Sequence, residues 1–210
     1  MSVPGCGVFE DDITPRVLQE LAAPRRALFL DRDGIINVDH GYVHRGEDTQ
    51  WMPGIFELSR MAIDAGCLVV VVTNQAGIAR GYYDDQQFLA YTRWVHGEFK
   101  ARGAALHATC YCPHHPDAVD PQARTCECRK PAPGMILEAA RRYGIALGES
   151  ALLGDKSWDV QAGRSAGVGL NLLLEGDGDP APGTVRSLGE AEHILRKYFA
   201  SPKGATDVRI

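Results

Sequence analysis

The chain lacks any apolar stretch near the roughly 18 continuous residues that mark a membrane-spanning helix, so a helical bilayer span is not expected. Met1–Val8 lacks the basic flank and apolar core of a signal peptide, and a cytoplasmic protein is expected. Positive charge is in deficit: 22 Lys and Arg stand against 27 Asp and Glu, a formal net charge of −5. That balance argues against a nucleic-acid partner, and no run of like charge is long enough to make a tail. What the chain does have is apolar content, 45% of 210 residues, which suffices for one sizeable core and is short for two full domains. A monomer acting on a small molecule is expected.

Residues 1–25 read as a loosely attached extension with a short helix over 14–21. A single domain is expected over 26–199, with a mobile tail at 200–210. Within the domain, short apolar runs alternate with helical patterns. Ala27–Leu30 is a buried strand that stops at Asp31, and Cys67–Val72 is a β-branched run that stops at Thr73-Asn74. Ala151–Leu153 stops at Gly154-Asp155, and weaker strands are expected over 106–111 and 168–174. Helices are predicted after Pro53-Gly54, after Asp84, from Pro133 to Gly144, after Asp155, and from Leu188 to Tyr198, with a loop over 175–183. This alternation predicts an α/β fold: a three-layer, Rossmann-like, mostly parallel sheet with helices on both faces. Sites in such sheets form beyond the carboxyl ends of the strands, where Asp31, Thr73 and Asp155 would meet.

Asp31-Arg32-Asp33-Gly34 carries the strongest chemical signal. Two carboxylates two residues apart can face one crevice if the chain turns at Gly34. Two bare carboxylates repel a phosphate monoester, so a magnesium ion is required to offset them. Asp31 can then attack phosphorus, while Asp33 protonates the leaving oxygen and later activates water. Thr73 and nearby backbone N–H groups can hold phosphoryl oxygens, although Thr and Asn are also ordinary helix caps. Lys130 offers a point charge and Arg129 a planar fork. Asp155 is a candidate magnesium ligand, Lys156 can approach a substrate, and Asp159 can cap a helix or support the ion indirectly. Trp158 can simply pack beside this loop. The polar segment Asp39–His44 can cap the crevice.

Six cysteines lie at 6, 67, 110, 112, 126 and 128. Four of them crowd into one region without helix or strand period, interleaved with histidines, which fits metal binding better than a disulfide framework. Cys112-Pro-His114, eleven residues, then Cys126-Glu-Cys128 supplies two ligands from each of two tight turns, a closed tetrahedral set for a structural zinc. Cys110 and His115 stand close enough to exchange with Cys112 and His114 in that set. Cys6 reads as a stray thiol and Cys67 as a core residue.

Together these segments resemble the haloacid dehalogenase-type phosphatases, and most closely the branch of them that acts on heptose bisphosphates. The resemblance runs over about residues 26–174 through Phe29–Gly34, Ile36–His44, Val71–Gly81, Cys112–Pro116, Cys126–Pro131 and Gly154–Lys156. It implies a magnesium-dependent phosphomonoester hydrolase that removes the 7-phosphate of a heptose 1,7-bisphosphate through a phospho-aspartate, within a fold that has no large cap domain. It implies Asp31 as nucleophile, Asp33 as acid and base, and Thr73 and Lys130 as stabilisers of the phosphoryl group. Magnesium would be held by Asp31, the backbone carbonyl of Asp33, and Asp155. Substrate contacts would come from Asp39, His40, Gly41, Tyr42, Thr73, Asn74, Gln75, Ala76, Arg129, Lys130 and Lys156. The structural zinc would take Cys112, His114, Cys126 and Cys128, within a loop spanning 110–131. The chain departs from the pattern at Ile35, where Thr is common, and a change in local packing is expected there.

Histidinol-phosphate phosphatases share the zinc loop and the Cys-Arg-Lys-Pro run. The Asp39–His44 segment, the Gly77–Gly81 turn and His114-His115-Pro116 favour the sugar bisphosphate, whose second phosphate suits the fork of Arg129. A polynucleotide 3′-phosphatase would call for a basic groove. A non-enzymatic interaction module would leave the acids and cations without a purpose.

Overall fold

The computed structural model describes residues 5–175 and 183–200. The expected tail at 200–210 and loop at 175–183 fall almost wholly outside them. Seven strands form one sheet in the order β1-β4-β3-β2-β5-β6-β7. They are β1 (Gly7–Glu10), β2 (Arg26–Leu30), β3 (Cys67–Asn74), β4 (Ala108–Cys112), β5 (Ala151–Gly154), β6 (Leu170–Leu174) and β7 (Thr184–Val185). Every pairing is parallel except β1 with β4. The helices are α1 (Thr14–Glu20), α2 (Ile55–Asp64), α3 (Ala76–Ala79), α4 (Asp85–Ala101), α5 (Gly134–Tyr143), α6 (Ser157–Ala166) and α7 (Leu188–Ala200).

The continuous apolar runs follow from burial on both sides. Leu28, Leu30, Val69, Val71 and Leu153 pack with α2, α4 and α7, while Phe29, Leu68, Val70, Val72 and Leu152 pack with α5 and α6. Successive strand residues point to opposite faces, so neither face can be polar. Helix α4 begins with a capping box, Asp84 accepting from the Gln87 N–H and the Gln87 side chain accepting from Asp84 N–H. Phe88, Tyr91 and Phe99 are buried along it, as their helical spacing implies. Cys67 is a core residue. Ile35 is also fully buried in the core, which accounts for an apolar side chain at a position where a hydroxyl is common. Between β2 and α2, residues 31–54 form loop and one 3-10 turn rather than an inserted domain.

The extension is not loosely attached. β1 adds an antiparallel strand to the edge of β4, and Val17, Leu18 and Leu21 pack on the α5 face. Asp11 accepts at 3.2 Å from buried His96, whose other ring nitrogen meets Thr109 Oγ1 at 2.9 Å. Thr14 Oγ1 and Asp11 N–H both donate to the His107 carbonyl, at 2.6 and 3.1 Å. Sequence periodicity misses this because polar groups do the anchoring, and a four-residue edge strand has no pattern to read. Cys6 is likewise no stray thiol: it is half-buried and packs against the α5-side cluster.

His107 accepts a 2.9 Å hydrogen bond from the Val69 N–H at Nδ1 and is 3% exposed, so it is held neutral. Burial lowers its pKa from 6.5 to about 4. The unfolded chain therefore binds this proton more readily than the folded one between those values. The stabilisation is complete above about pH 6.5 and is lost as pH falls toward 4, to a total of about 3 kcal/mol. Urea unfolding at pH 7.5 and pH 4.5 should show a smaller difference for His107→Asn than for the wild type. Equal pH slopes in the two proteins would refute this assignment.

Candidate active site

Strands β2, β3 and β5 all end at one crevice, a cavity of about 390 Å³. Asp31 follows β2, Thr73 is the last residue but one of β3, and Asp155 follows β5, as their positions after apolar runs predicted. Lys130 arrives from the loop before α5 and is 4% exposed. Its ammonium donates to Asp31 Oδ1 at 2.7 Å and to the Val72 carbonyl at 2.8 Å, and lies 2.6 Å from Asp159 Oδ1. Burial pushes the Asp31 carboxyl up; Lys130 pulls it down, and the carboxylates of Asp159 and Asp33 push it up again. Burial likewise raises Asp155, against Lys156, which sits 2.6 Å from Asp155 Oδ2. The centre is short of positive charge.

That shortage fits a cation. Asp31, Asp155 and Asp159 each offer a carboxylate oxygen, all within 4.8 Å of one another. Asp155 Oδ1 is buried with no hydrogen-bond partner. Asp159 Oδ1 lies 2.6 Å from the Lys130 ammonium and its other oxygen accepts from the Lys156 N–H at 3.0 Å, so it orients its neighbours as well as belonging to the carboxylate set. The glycine after Asp33 is required twice over: Gly34 has φ +92°, and a Cβ there would lie 2.3 Å from Asp155 Oδ2.

Asp33 is aimed by its neighbours. Arg32, buried against the rings of Phe88 and Tyr91, donates to both Asp33 carboxylate oxygens at 2.8–3.2 Å, and Asn37 Nδ2 donates to Oδ1 at 3.0 Å. Arg32 also donates to the Val43 carbonyl at 2.8 Å, joining the acid to the 39–44 loop. Thr73 is 1% exposed and accepts from Gln75 Nε2 at 2.8 Å, and Gln75 in turn accepts from Tyr83 at 2.7 Å. The sequence assigns no role to Arg32, Asn37 or Tyr83; the one available signal is a basic residue set between two acids, Asp31 and Asp33.

Asp39, Gly41, Tyr42, Asn74, Gln75, Ala76, Arg129 and Lys156 all line the cavity. His40 does not: it is exposed and its Nε2 faces Gln50 Oε1 at 3.3 Å. Asn74 has its amide spent on the Lys130 backbone, donating at 3.1 Å and accepting at 3.0 Å. Trp158 does not pack away; it lines the cavity and is 45% exposed.

The cysteine loop closes as a four-ligand cluster of Cys112, His114, Cys126 and Cys128, all within 4.8 Å. Cys110 is fully buried in β4, and His115 Nδ1 accepts from the Asp117 N–H, so neither enters the set. Cys112 Sγ lies 3.6 Å from both His114 Nδ1 and Cys126 Sγ, and Cys128 Sγ lies 3.5 Å from His114 Nδ1. Bonds of the length zinc makes to sulfur and nitrogen give tetrahedron edges of about 3.8 Å (S to S) and about 3.6 Å (S to N), so the residues fit that ion. Hydrogen bonding to the Cys128 thiol holds the Cys112 thiol below the ordinary cysteine range. Arg129 donates to the His114 carbonyl at 3.1 Å, which ties the Arg129-Lys130 pair to the cluster. Gly134, at the start of α5, is needed because a Cβ would lie 2.4 Å from the Glu127 carbonyl.

Comparison with known proteins agrees with this geometry. A family model described as HAD-hydrolase-like matches residues 127–195. The D-glycero-beta-D-manno-heptose-1,7-bisphosphate 7-phosphatase of Yersinia pestis is 42% identical over 178 residues, covering 84% of this chain and 93% of that protein. The D-glycero-alpha-D-manno-heptose-1,7-bisphosphate 7-phosphatase of Burkholderia mallei is 48% identical over 150 residues, 71% of this chain and 79% of that one. The crystal structure of the D,D-heptose 1,7-bisphosphate phosphatase of B. bronchiseptica, complexed with magnesium and phosphate, superposes with a TM-score of 0.71 at 30% identity, covering 82% of this chain and 98% of that one. Strand-end carboxylates, a buried lysine and this degree of likeness place the chain in the haloacid dehalogenase-like hydrolases, as a member of the D-glycero-D-manno-heptose-1,7-bisphosphate 7-phosphatase family.

Proposed function

We propose that the protein hydrolyses the 7-phosphate of D-glycero-D-manno-heptose 1,7-bisphosphate, giving heptose 1-phosphate and inorganic phosphate. The observation that carries this is the buried Lys130 ammonium, 2.7 Å from Asp31 Oδ1 at the floor of a polar cavity. An Asp31 oxygen attacks phosphorus and the bond to the sugar oxygen breaks. Asp33, aimed by Arg32 and Asn37, gives that oxygen a proton, then takes one from the water that cleaves the phospho-aspartate. Lys130 and Thr73 face the charge that gathers on the transferring phosphoryl oxygens. Asp31, Asp155 and the Asp33 backbone carbonyl would hold magnesium, which offsets the charge of phosphate against carboxylate. Arg129 and Lys156 are placed for the second phosphate, and Asp39, Gly41 and Tyr42 for the sugar. His40, turned away from the cavity, would reach substrate only by leaving Gln50. Cys112, His114, Cys126 and Cys128 would hold a structural zinc, with no ligand position left for substrate. Residues 26–199 form the phosphatase domain on this reading, with β1 and α1 built onto its edge. Among the described residues no helix is long and apolar enough to cross a membrane, and a soluble sugar phosphate as substrate suits a cytoplasmic monomer.

Phosphate release with magnesium should favour one anomer of the bisphosphate over histidinol phosphate by about 100-fold or more in kcat/KM, equivalent to roughly 2.7 kcal/mol. Preference for histidinol phosphate would overturn the substrate while leaving the chemistry intact. Asp31→Asn should lower kcat by about 1,000-fold or more without unfolding the protein; retained turnover would remove Asp31 as nucleophile. Elemental analysis should find one zinc per chain, and Cys126→Ser should lose it along with several degrees of melting temperature. A zinc-free protein of undiminished stability and activity would exclude the structural metal.

A further inference from the structure

Tyr42 is the one non-glycine residue among those described with a left-handed backbone, φ +54°, and it follows Gly41 at +76°. A bulky aromatic is disfavoured there and persists only where its surroundings hold it. Burial is not what holds it, since Tyr42 is 39% exposed at the cavity wall. Its own loop does part of the work: Asp39 Oδ1 accepts from the Gly41 N–H at 3.0 Å, and His44 Nδ1 meets the Tyr42 carbonyl at 2.8 Å. The Tyr82 ring meets the Tyr42 ring edge-on at 4.6 Å. The side chain is then pinned from outside the loop, by Arg80 donating to Tyr42 Oη at 2.5 Å.

Arg80 is itself tied to the cysteine loop. Its other terminal nitrogen donates to Asp117 Oδ2 at 3.0 Å. Alongside, the Val119 N–H donates to the Ala79 carbonyl at 2.9 Å, fixing the end of α3 to the same loop. The other end of α3 is set by Gln75, whose N–H donates to the Cys112 carbonyl at 2.8 Å. Two acceptors in different directions need the planar fork of arginine; a lysine ammonium on its single stem would serve them less well. Arg80 does not line the cavity. The ion pair to an exposed Asp117 adds little to stability, so its consequence lies in placement.

We propose that Arg80 is a positioning residue that clamps Tyr42 into the wall of the reaction cavity and references that wall to the cysteine loop, thereby setting how tightly the sugar part of the substrate is held. The identity of that sugar rests on the function proposed above; the clamp itself does not. Arg80→Ala should raise KM for the heptose bisphosphate about 10-fold with kcat changed less than about 3-fold, the signature of lost binding common to ground and transition states. Turnover of p-nitrophenyl phosphate, which has no sugar for the wall to hold, should change less than about 3-fold. Hydrogen exchange at residues 39–44 should quicken several-fold with the melting temperature unmoved. Tyr42→Phe should match Arg80→Ala in both KM and exchange, the double variant should be no worse than either, and Arg80→Lys should fall between. Unchanged exchange in 39–44, or additive losses in the double variant, would overturn the clamp. Failure of the wild type to act on the bisphosphate would overturn the proposed substrate instead, and the exchange measurement would still decide the role of Arg80.

Discussion

One buried ammonium group organises the carboxyl end of the sheet. Lys130 bonds to Asp31 after β2, to the Val72 carbonyl within β3, and lies against Asp159 in the first turn of α6. Those contacts join three segments far apart in sequence. An isolated charge at such depth is very costly, so the site depends on all its partners being present together. Lys130 is held in turn by Asn74, whose amide both donates to and accepts from its backbone. The residue between strand and loop is therefore structural glue, whatever else it touches.

The cysteine cluster serves the same constraint from the other side. Arg129 and Lys130 directly follow Cys128, and Arg129 donates to the carbonyl of His114. A lysine on a free loop would lose considerable side-chain and backbone freedom on being buried between two acids. Holding the chain two residues earlier, where Cys128 meets His114, lowers that cost. The four-residue cluster thus bears structurally on the reaction centre it adjoins.

Much of this was legible before any coordinates. Apolar runs that stop at Asp31, Thr73 and Asp155 locate the crevice, because a parallel sheet buried on both faces leaves few other readings. The spacing of Cys112, His114, Cys126 and Cys128 locates the second cluster. The attachment of residues 5–25 was hidden, since Asp11, Thr14 and Arg25 bind distant backbone and histidine groups that no periodicity reports. Asp159 carried a signal for capping or indirect support of an ion, and Asn74 for capping or contact; their use as partners of Lys130 is purely tertiary. His40 and Trp158 show the converse limit: proximity in sequence to a site does not say which way a side chain faces.

Arg32 adds a last consequence. It grips Asp33 with both carboxylate oxygens and also donates to the Val43 carbonyl, one residue beyond Tyr42. The acid on the strand end and the 39–44 wall of the cavity therefore share one guanidinium, and the 112–128 loop reaches that wall only through Arg80 at the end of α3. Such a layout couples the reacting acid to the wall beside it. A loop exchanged for 39–44 would have to keep a carbonyl within reach of Arg32 and a phenol within reach of Arg80, or the aim of Asp33 would change along with the wall.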